Sequence, residues 1–142
     1  MENWLVTHRS LVFPWHCDQF GHMNVRWYAH FFDDATFHMW TMSGLSYQRF
    51  QELGAIMVVA HTATDFIREM KAGQLLVIHS GFTGIGNKSV KYTANMFDAD
   101  TDVLCARQRS VEVCFDQTTR RSTAMPDGIR EAIEGQIVTE EG

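Results

Sequence analysis

Apolar positions change their spacing along this 142-residue chain, and the changes divide it into elements. Leu5 to Phe13 alternates weakly and predicts a first strand, ended by Pro14. Cys17 to Met23 predicts a loop, with Gly21 supplying backbone freedom. From Asn24 the period lengthens. Tyr28, Phe31, Phe32, Ala35, Met39 and Met42 recur at steps of three and four, so they share one helical face. Asn24 is the expected N-cap and Gly44 the expected C-cap. Trp27, Phe37 and Trp40 widen the apolar surface, as in a helix that is surrounded rather than laid on a surface.

Ser46 to Leu53 predicts a second, short helix stopped at Gly54. Ile56 to Glu69 then predicts a long strand, Lys71 to Gly73 a turn, Leu75 to Thr83 a strand, and Gly84 to Asn87 a bend or bulge. Ser89 to Phe97 alternates, with Val90, Tyr92, Ala94 and Met96 against Lys91, Thr93 and Asn95. Asp98 to Asp102 is a hairpin loop, Val103 to Phe115 the last long strand, and Asp116 to Arg121 its terminating turn. Pro126 precedes a short helix from Asp127 to about Ile137, followed by an acidic tail. One early helix and then a meander of antiparallel strands is an α+β pattern, and the simplest packing curves the sheet around the helix. No repeat, low-complexity tract or linker interrupts it, so residues 1–142 read as one domain.

The apolar fraction of 45% is enough for a real core and excludes a disordered chain. Charged residues are only 20% and aromatics 12%, which suggests a surface partly covered by another subunit; a well-packed monomer fits the same numbers. The net charge of −5, without a basic block, argues against a nucleic-acid surface. No apolar run approaches the ~18 residues of a membrane span, and the first residues lack a basic and then apolar secretory pattern. Three cysteines, Cys17, Cys105 and Cys114, with no CxxC, fit free thiols in a reducing cytoplasm.

Chemistry concentrates between Pro14 and Tyr28. Asp18 stands a few residues before the long helix, whose first N–H groups are unpaired and carry positive partial charge. A carboxylate at the rim of the core would be partly desolvated, with a raised pKa; a loop aspartate facing water is the plain alternative. His22 reads as a loop histidine and Asn24 as a cap, and a capped helix end still binds anions. His22, His30 and His38 are spaced by eight, without HExxH or ligands three or four apart, so no metal is assigned. Adjacent His16 and Cys17 point apart in an extended segment and make no catalytic pair. There is no GxSxG elbow, GxGxxG or Walker loop. Lys88, after the Gly84–Asn87 bend, is either solvated or able to meet a phosphate, and so are Arg120 and Arg121.

The segment HCDQFGHMNVRWYAHFF, residues 16–32, resembles the signature of the 4-hydroxybenzoyl-CoA thioesterase family of hotdog-fold proteins. The likeness rests on Asp18, Gly21 three residues later, the GHMN run and Tyr28 ten after the acid. DFIREMKAGQLLV, IGNKSVKY and CFDQTTRRSTAMP are similar to later family segments, so it covers about residues 5–128. It implies a hotdog fold, an antiparallel sheet wrapped around the central helix. It also implies a homodimer, often assembled into homotetramers, with acyl-CoA substrates and neither metal nor cofactor. Asp18 falls on the family's catalytic carboxylate, and the Val25 N–H on the helix end that polarises the thioester carbonyl. His22, Asn24 and Tyr28 fall beside them as substrate-binding residues. Asn87, Lys88 and Ser89 fall near residues that meet CoA phosphates in some members.

A thioester suits so small a set of groups. Its leaving thiolate resembles a cysteine's, with a pKa of about 8.5, so little general-acid help is needed. Asp18 could attack the carbonyl or activate water while helix amides hold the oxyanion. Tyr28, Phe31 and Phe32 could line an acyl pocket, although plain core packing explains most of such side chains. The leading expectation is therefore a cytoplasmic acyl-CoA thioesterase. A hotdog hydratase or dehydratase, or a non-catalytic acyl-CoA binding module, are the alternatives.

Overall fold

A computed structural model of the chain describes residues 3–140. In order it contains strand β1 (Leu5–Leu11), helix α1 (Val25–Met42), helix α2 (Tyr47–Leu53), strands β2 (Ala55–Phe66), β3 (Leu75–Ile85), β4 (Ser89–Asp98) and β5 (Leu104–Asp116), and helix α3 (Asp127–Glu134). The elements follow the hydrophobic spacing, with ends moved by a few residues. Pro14–His16 adds one turn of 3-10 helix, so His16 and Cys17 do not lie in an extended run.

The five strands form one antiparallel sheet in the order β1-β3-β4-β5-β2. Only β3, β4 and β5 make the expected meander. β2 does not pair with β3; it crosses to the far edge and pairs with β5. It also ends at Phe66 rather than Glu69. The Ile67 and Arg68 N–H groups both donate to the Cys105 carbonyl, at 2.8 and 3.0 Å, and this turns the chain out of the ladder. Register shifts interrupt all four pairings, including one between Phe82 and Gly84 where a bulge is expected. Such bulges add curvature.

The curved face carries α1, which packs against β1 and β3. Its inward stripe is Tyr28, Phe31, Phe32, Ala35, Thr36, Met39 and Trp40. Phe37 is 68% exposed and Met42 52%. The sheet therefore covers one side of α1, and the expectation of a surrounded helix fails within this chain. Two core clusters divide the stripe. One gathers Tyr28, Phe31 and Phe32 with Val12, Leu76 and Met96; the other gathers Met39 and Trp40 with Phe82, Tyr92, Ile129 and Ile133.

Local chemistry sets the helix ends. The Asn24 side chain caps α1 by accepting from the Arg26 N–H. At the other end Ser43 is the cap, and Gly44 follows with φ +91. The Leu45 N–H bonds to the Trp40 carbonyl and the Gly44 N–H to that of Thr41, the pair of bonds of a Schellman motif. Ser46 caps α2, and Gly54 ends it in the left-handed region. α3 stops at Glu134, short of Ile137, because Ile137 bridges to Phe82 and the Val138 N–H donates to the Phe82 carbonyl. A Cβ on Gly81 would stand 2.7 Å from Val138, so this docking needs glycine there. Of the acidic tail only Glu140 is among the described residues; it pairs with Arg109 at 3.0 Å.

Burial also departs from simple alternation on β4. Thr93 and Asn95 are as buried as the apolar positions beside them, because β4 is central and Arg107 covers Asn95 through a 2.7 Å hydrogen bond. No helix among the described residues is long and apolar enough to cross a membrane. Phe32 is fully buried where α1 meets the sheet. Phe32→Ala should lower unfolding free energy by about 3–5 kcal/mol in denaturant titration.

Candidate active site

The stretch from Pro14 to Asn24 is tied on both sides before it reaches α1. Asn24 N–H donates to the His16 carbonyl at 2.9 Å, and Met23 N–H to that of Met70 at 2.7 Å. Inside this frame the Asp18 N–H bonds to the His22 carbonyl, and the Gly21 N–H to that of Asp18. Gly21 sits at φ +87, a conformation that L side chains rarely adopt. The result is a tight loop with the Asp18 carboxylate on its inner side.

Both carboxylate oxygens are held. Oδ1 accepts from the Phe20 N–H at 2.9 Å, and Oδ2 from Asn24 Nδ2 at 3.0 Å. The same Asn24 amide accepts through Oδ1 from the Arg26 N–H at 3.1 Å and from Arg26 Nε at 3.2 Å. Asn24 is therefore more than a cap: it ties the helix end to Asp18. The hydrogen bond from Asn24, and then that from Phe20, hold the Asp18 pKa below its ordinary 3.8. This corrects the expectation of a raised value. Desolvation opposes the shift, but donors aimed at the charged form outweigh it.

An open cleft of about 490 Å³ lies over this loop and the start of α1. Asp18, His22, Asn24, Val25 and Tyr28 all line it, so the structure brings five of the expected residues together. Val25 is the first helical residue, whose N–H has no intrahelical acceptor. His22 Nε2 stands 3.5 Å from Glu69 Oε1. Tyr28 is buried, which raises its pKa, and its ring meets Phe66 edge-on at 5.1 Å. Met23 lines it too, and from beyond the helix come Phe66, Ile67, Arg68 and Glu69. Sequence reasoning missed these four, because only the turn onto the Cys105 carbonyl brings them to the cleft.

Asn87, Lys88 and Ser89 do not join this cleft in their own chain. They form the β3–β4 turn, where Lys88 and Asn87 carbonyls accept from Cys114 and Met125 N–H groups. That turn is at the opposite end of the sheet from Gln74, which bonds to Val12 beside the Asp18 loop.

His16 is buried against Trp15, Trp27 and Phe31, and its Nδ1 accepts from the Phe13 N–H. Burial lowers its pKa. It braces the loop and leaves Cys17 without a base. Among the described residues no group of three or more His, Cys, Asp or Glu is placed to hold a metal ion.

The depressed Asp18 pKa gives a signed expectation. Its hydrogen bonds stabilise the fold above the ordinary carboxylate range and are lost as pH falls through the lower folded value. Asn24→Ala should move the Asp18 titration upward, followed by carboxyl-carbon NMR. Loss of the helix cap should also lower stability by about 1 kcal/mol. An unmoved Asp18 titration would contradict this account of the shift.

Comparison with known proteins places this geometry. Solved structures share the whole architecture. A hypothetical protein from Staphylococcus aureus, in complex with CoA, superposes with a TM-score of 0.86 at 19% identity, over 100% of this chain and 91% of that one. A 1,4-dihydroxy-2-naphthoyl-CoA thioesterase from Synechocystis gives 0.77 at 19% identity, over 90% and 94%. A predicted thioesterase from Bacillus stearothermophilus gives 0.78 at 25% identity, over 94% and 98%. No curated protein matches the chain. The model of the thioesterase-like superfamily matches residues 12–133, from the end of β1 into α3. With its antiparallel sheet curved over the inward side of one long helix, the chain is an α+β hotdog-fold member of the thioesterase-like superfamily.

Proposed function

We propose that this protein is an acyl-CoA thioesterase in which Asp18 is the nucleophile and the N-terminus of α1 the oxyanion site. The observation that carries the reading is the cleft in which a fixed carboxylate meets the first free N–H of a five-turn helix. Asp18 adds to the thioester carbonyl, and the Val25 N–H holds the developing oxyanion. One such donor contributes about 2.7–4 kcal/mol to the transition state. Collapse expels the CoA thiolate and leaves a mixed anhydride on Asp18. Water then cleaves the anhydride, releasing the free acid and restoring the carboxylate.

The geometry of Asp18 supports direct attack: both carboxylate oxygens are held in fixed directions in the cleft that the first N–H of α1 also lines. The same two hydrogen bonds favour its ionised form, the form that either attacks a carbonyl or activates water. His22, Asn24 and Tyr28 bind around the thioester, His22 opposite Glu69. The CoA complex of the Staphylococcus aureus protein supports the nucleotide part of the substrate.

The working form is a homodimer, extensible to a tetramer, acting in the cytoplasm. β2 is an edge strand of 12 residues, mostly exposed from Val59 onward, with Val59 and Phe66 both more than half exposed. Such an edge invites pairing with a second copy. In an antiparallel pair across β2, the Phe66 end of one subunit faces the Ala55 end of the other. Asn87, Lys88 and Ser89, whose strand lies across β5 from Met57 and Val58, would then reach the CoA phosphates in the partner's cleft.

Asp18→Asn should lower thiol release from acyl-CoAs roughly 10³-fold while leaving assembly intact. Unchanged turnover would remove Asp18 from the mechanism, and hydration of an enoyl-CoA without thiol release would replace hydrolysis by a hydratase reaction. Hydroxylamine trapping during turnover should place the acyl transfer on Asp18; an unmodified peptide would return it to the role of base. Sedimentation equilibrium should give at least twice the chain mass, and a monomer at micromolar concentration would rule out the shared site.

A further inference from the structure

A second cavity lies along the other half of α1. It measures about 610 Å³ and opens between α1, α2 and the first residues of β2. Its walls are mainly apolar and aromatic: Phe37, Trp40, Tyr47 and Phe50, with Leu45 and Ile56. Trp40 and Phe50 meet nearly at right angles, at 74° and 5.6 Å between ring centres. Two acids complete it, Asp33 and Glu112, and no Lys, Arg or His lines it.

Glu112 is the unexpected member. It is only 3% exposed, in the middle of β5 opposite Val59 and Val90. Burying a carboxyl is costly without a partner of opposite charge. Its hydrogen-bonding neighbours are neutral: Trp40 Nε1 donates at a long 3.4 Å and the Tyr92 hydroxyl stands beside it, while the one charge that acts on it is another acid, Asp33. No cation pairs with it among the described residues. This uncompensated carboxyl faces an aromatic cavity, and aromatic faces themselves attract cations.

We infer that this cavity receives the far end of the acyl group and selects one that carries an organic cation, held by Glu112 and the faces of Phe37, Trp40 and Phe50. The inference rests on the proposed thioesterase reading and names its substrate class. It also uses the proposed dimer. Within one chain Trp40 is fifteen residues beyond Val25 along the helix, about 22 Å at 1.5 Å per residue. Across a β2–β2 pair, the Phe66–Glu69 end of the partner's cleft lies against the Ile56–Val59 wall of this cavity. In that arrangement the partner's cleft would hold the thioester and this cavity the tail of the acyl chain. A tail ending in a carboxylate would face two acids and is excluded.

Two acyl-CoAs of one shape test this. One is butanoyl-CoA ending in trimethylammonium; the other is its carbon isostere ending in tert-butyl. An aminohexanoyl-CoA and heptanoyl-CoA pair separates a quaternary from a primary ammonium. The wild type should favour the cationic member of at least one pair about tenfold in kcat/KM. Glu112→Gln, which keeps the hydrogen bond from Trp40, should reduce that ratio severalfold. Phe37→Leu, at an exposed position, should reduce it too, and serves if the Glu112 variant fails to fold.

Equal kcat/KM for charged and neutral members in the wild type, with thiol released from both, would overturn the cation site and leave the thioesterase reading standing. No thiol release from any acyl-CoA would overturn the thioesterase reading. The cation site is then judged by calorimetric titration with the two free acids, trimethylammonium-ended and tert-butyl-ended. Tighter binding of the cationic acid, lost in Glu112→Gln, upholds it; equal or absent binding overturns it.

Discussion

One side-chain amide joins the two halves of the candidate site. Asn24 caps α1, because the first N–H groups of a helix have no intrahelical acceptor. Its oxygen does this, and its nitrogen then has only one direction left, toward Asp18. The position of the carboxylate thus follows from the requirement to end the helix. A serine or aspartate could cap equally well. Neither carries the N–H pair that also holds a carboxylate, so capping alone does not explain asparagine here.

A second constraint comes from the sheet. Five strands curve far enough to cover one side of an 18-residue helix and no further. The uncovered side carries Phe37, and the cavity it lines opens toward the first residues of β2. Two clefts remain open along α1, one at its first turn and one along its second half. The fold leaves its apolar surplus where the substrate and a second subunit would meet it. Sparse charge and abundant aromatics are the compositional trace of that arrangement.

Most of the fold was legible because its signals are local. Asn24, Ser46, Gly44 and Gly54 announce helix ends through their own backbone needs, and the structure uses each within one residue of the expected place. The cleft residues before Tyr28 were legible for the same reason, since they are sequential neighbours of one helix start. What failed is non-local. Nothing in the sequence of β2 says that it will cross the sheet to β5, and so nothing says that Phe66 to Glu69 will face Asp18. The sign of the Asp18 pKa failed differently. Nearness to the core suggested desolvation, whereas the outcome depends on two donors only a few residues away. Proximity was readable and hydrogen-bond direction was not.

The same distinction separates Asp18 from Glu112, the two carboxyls that line the clefts. Asp18 is surrounded by donors, so its charged form is favoured and it stays ionised in an open cleft. Glu112 has neutral hydrogen-bonding neighbours and deep burial, so its proton is favoured, and Asp33 nearby pushes the same way. One acid is prepared to act as an anion before anything binds. The other becomes comfortable as an anion only when a positive charge enters beside it. Two carboxyls beside opposite halves of one helix can therefore divide the work, the first toward the reacting carbonyl and the second toward the identity of the group attached to it.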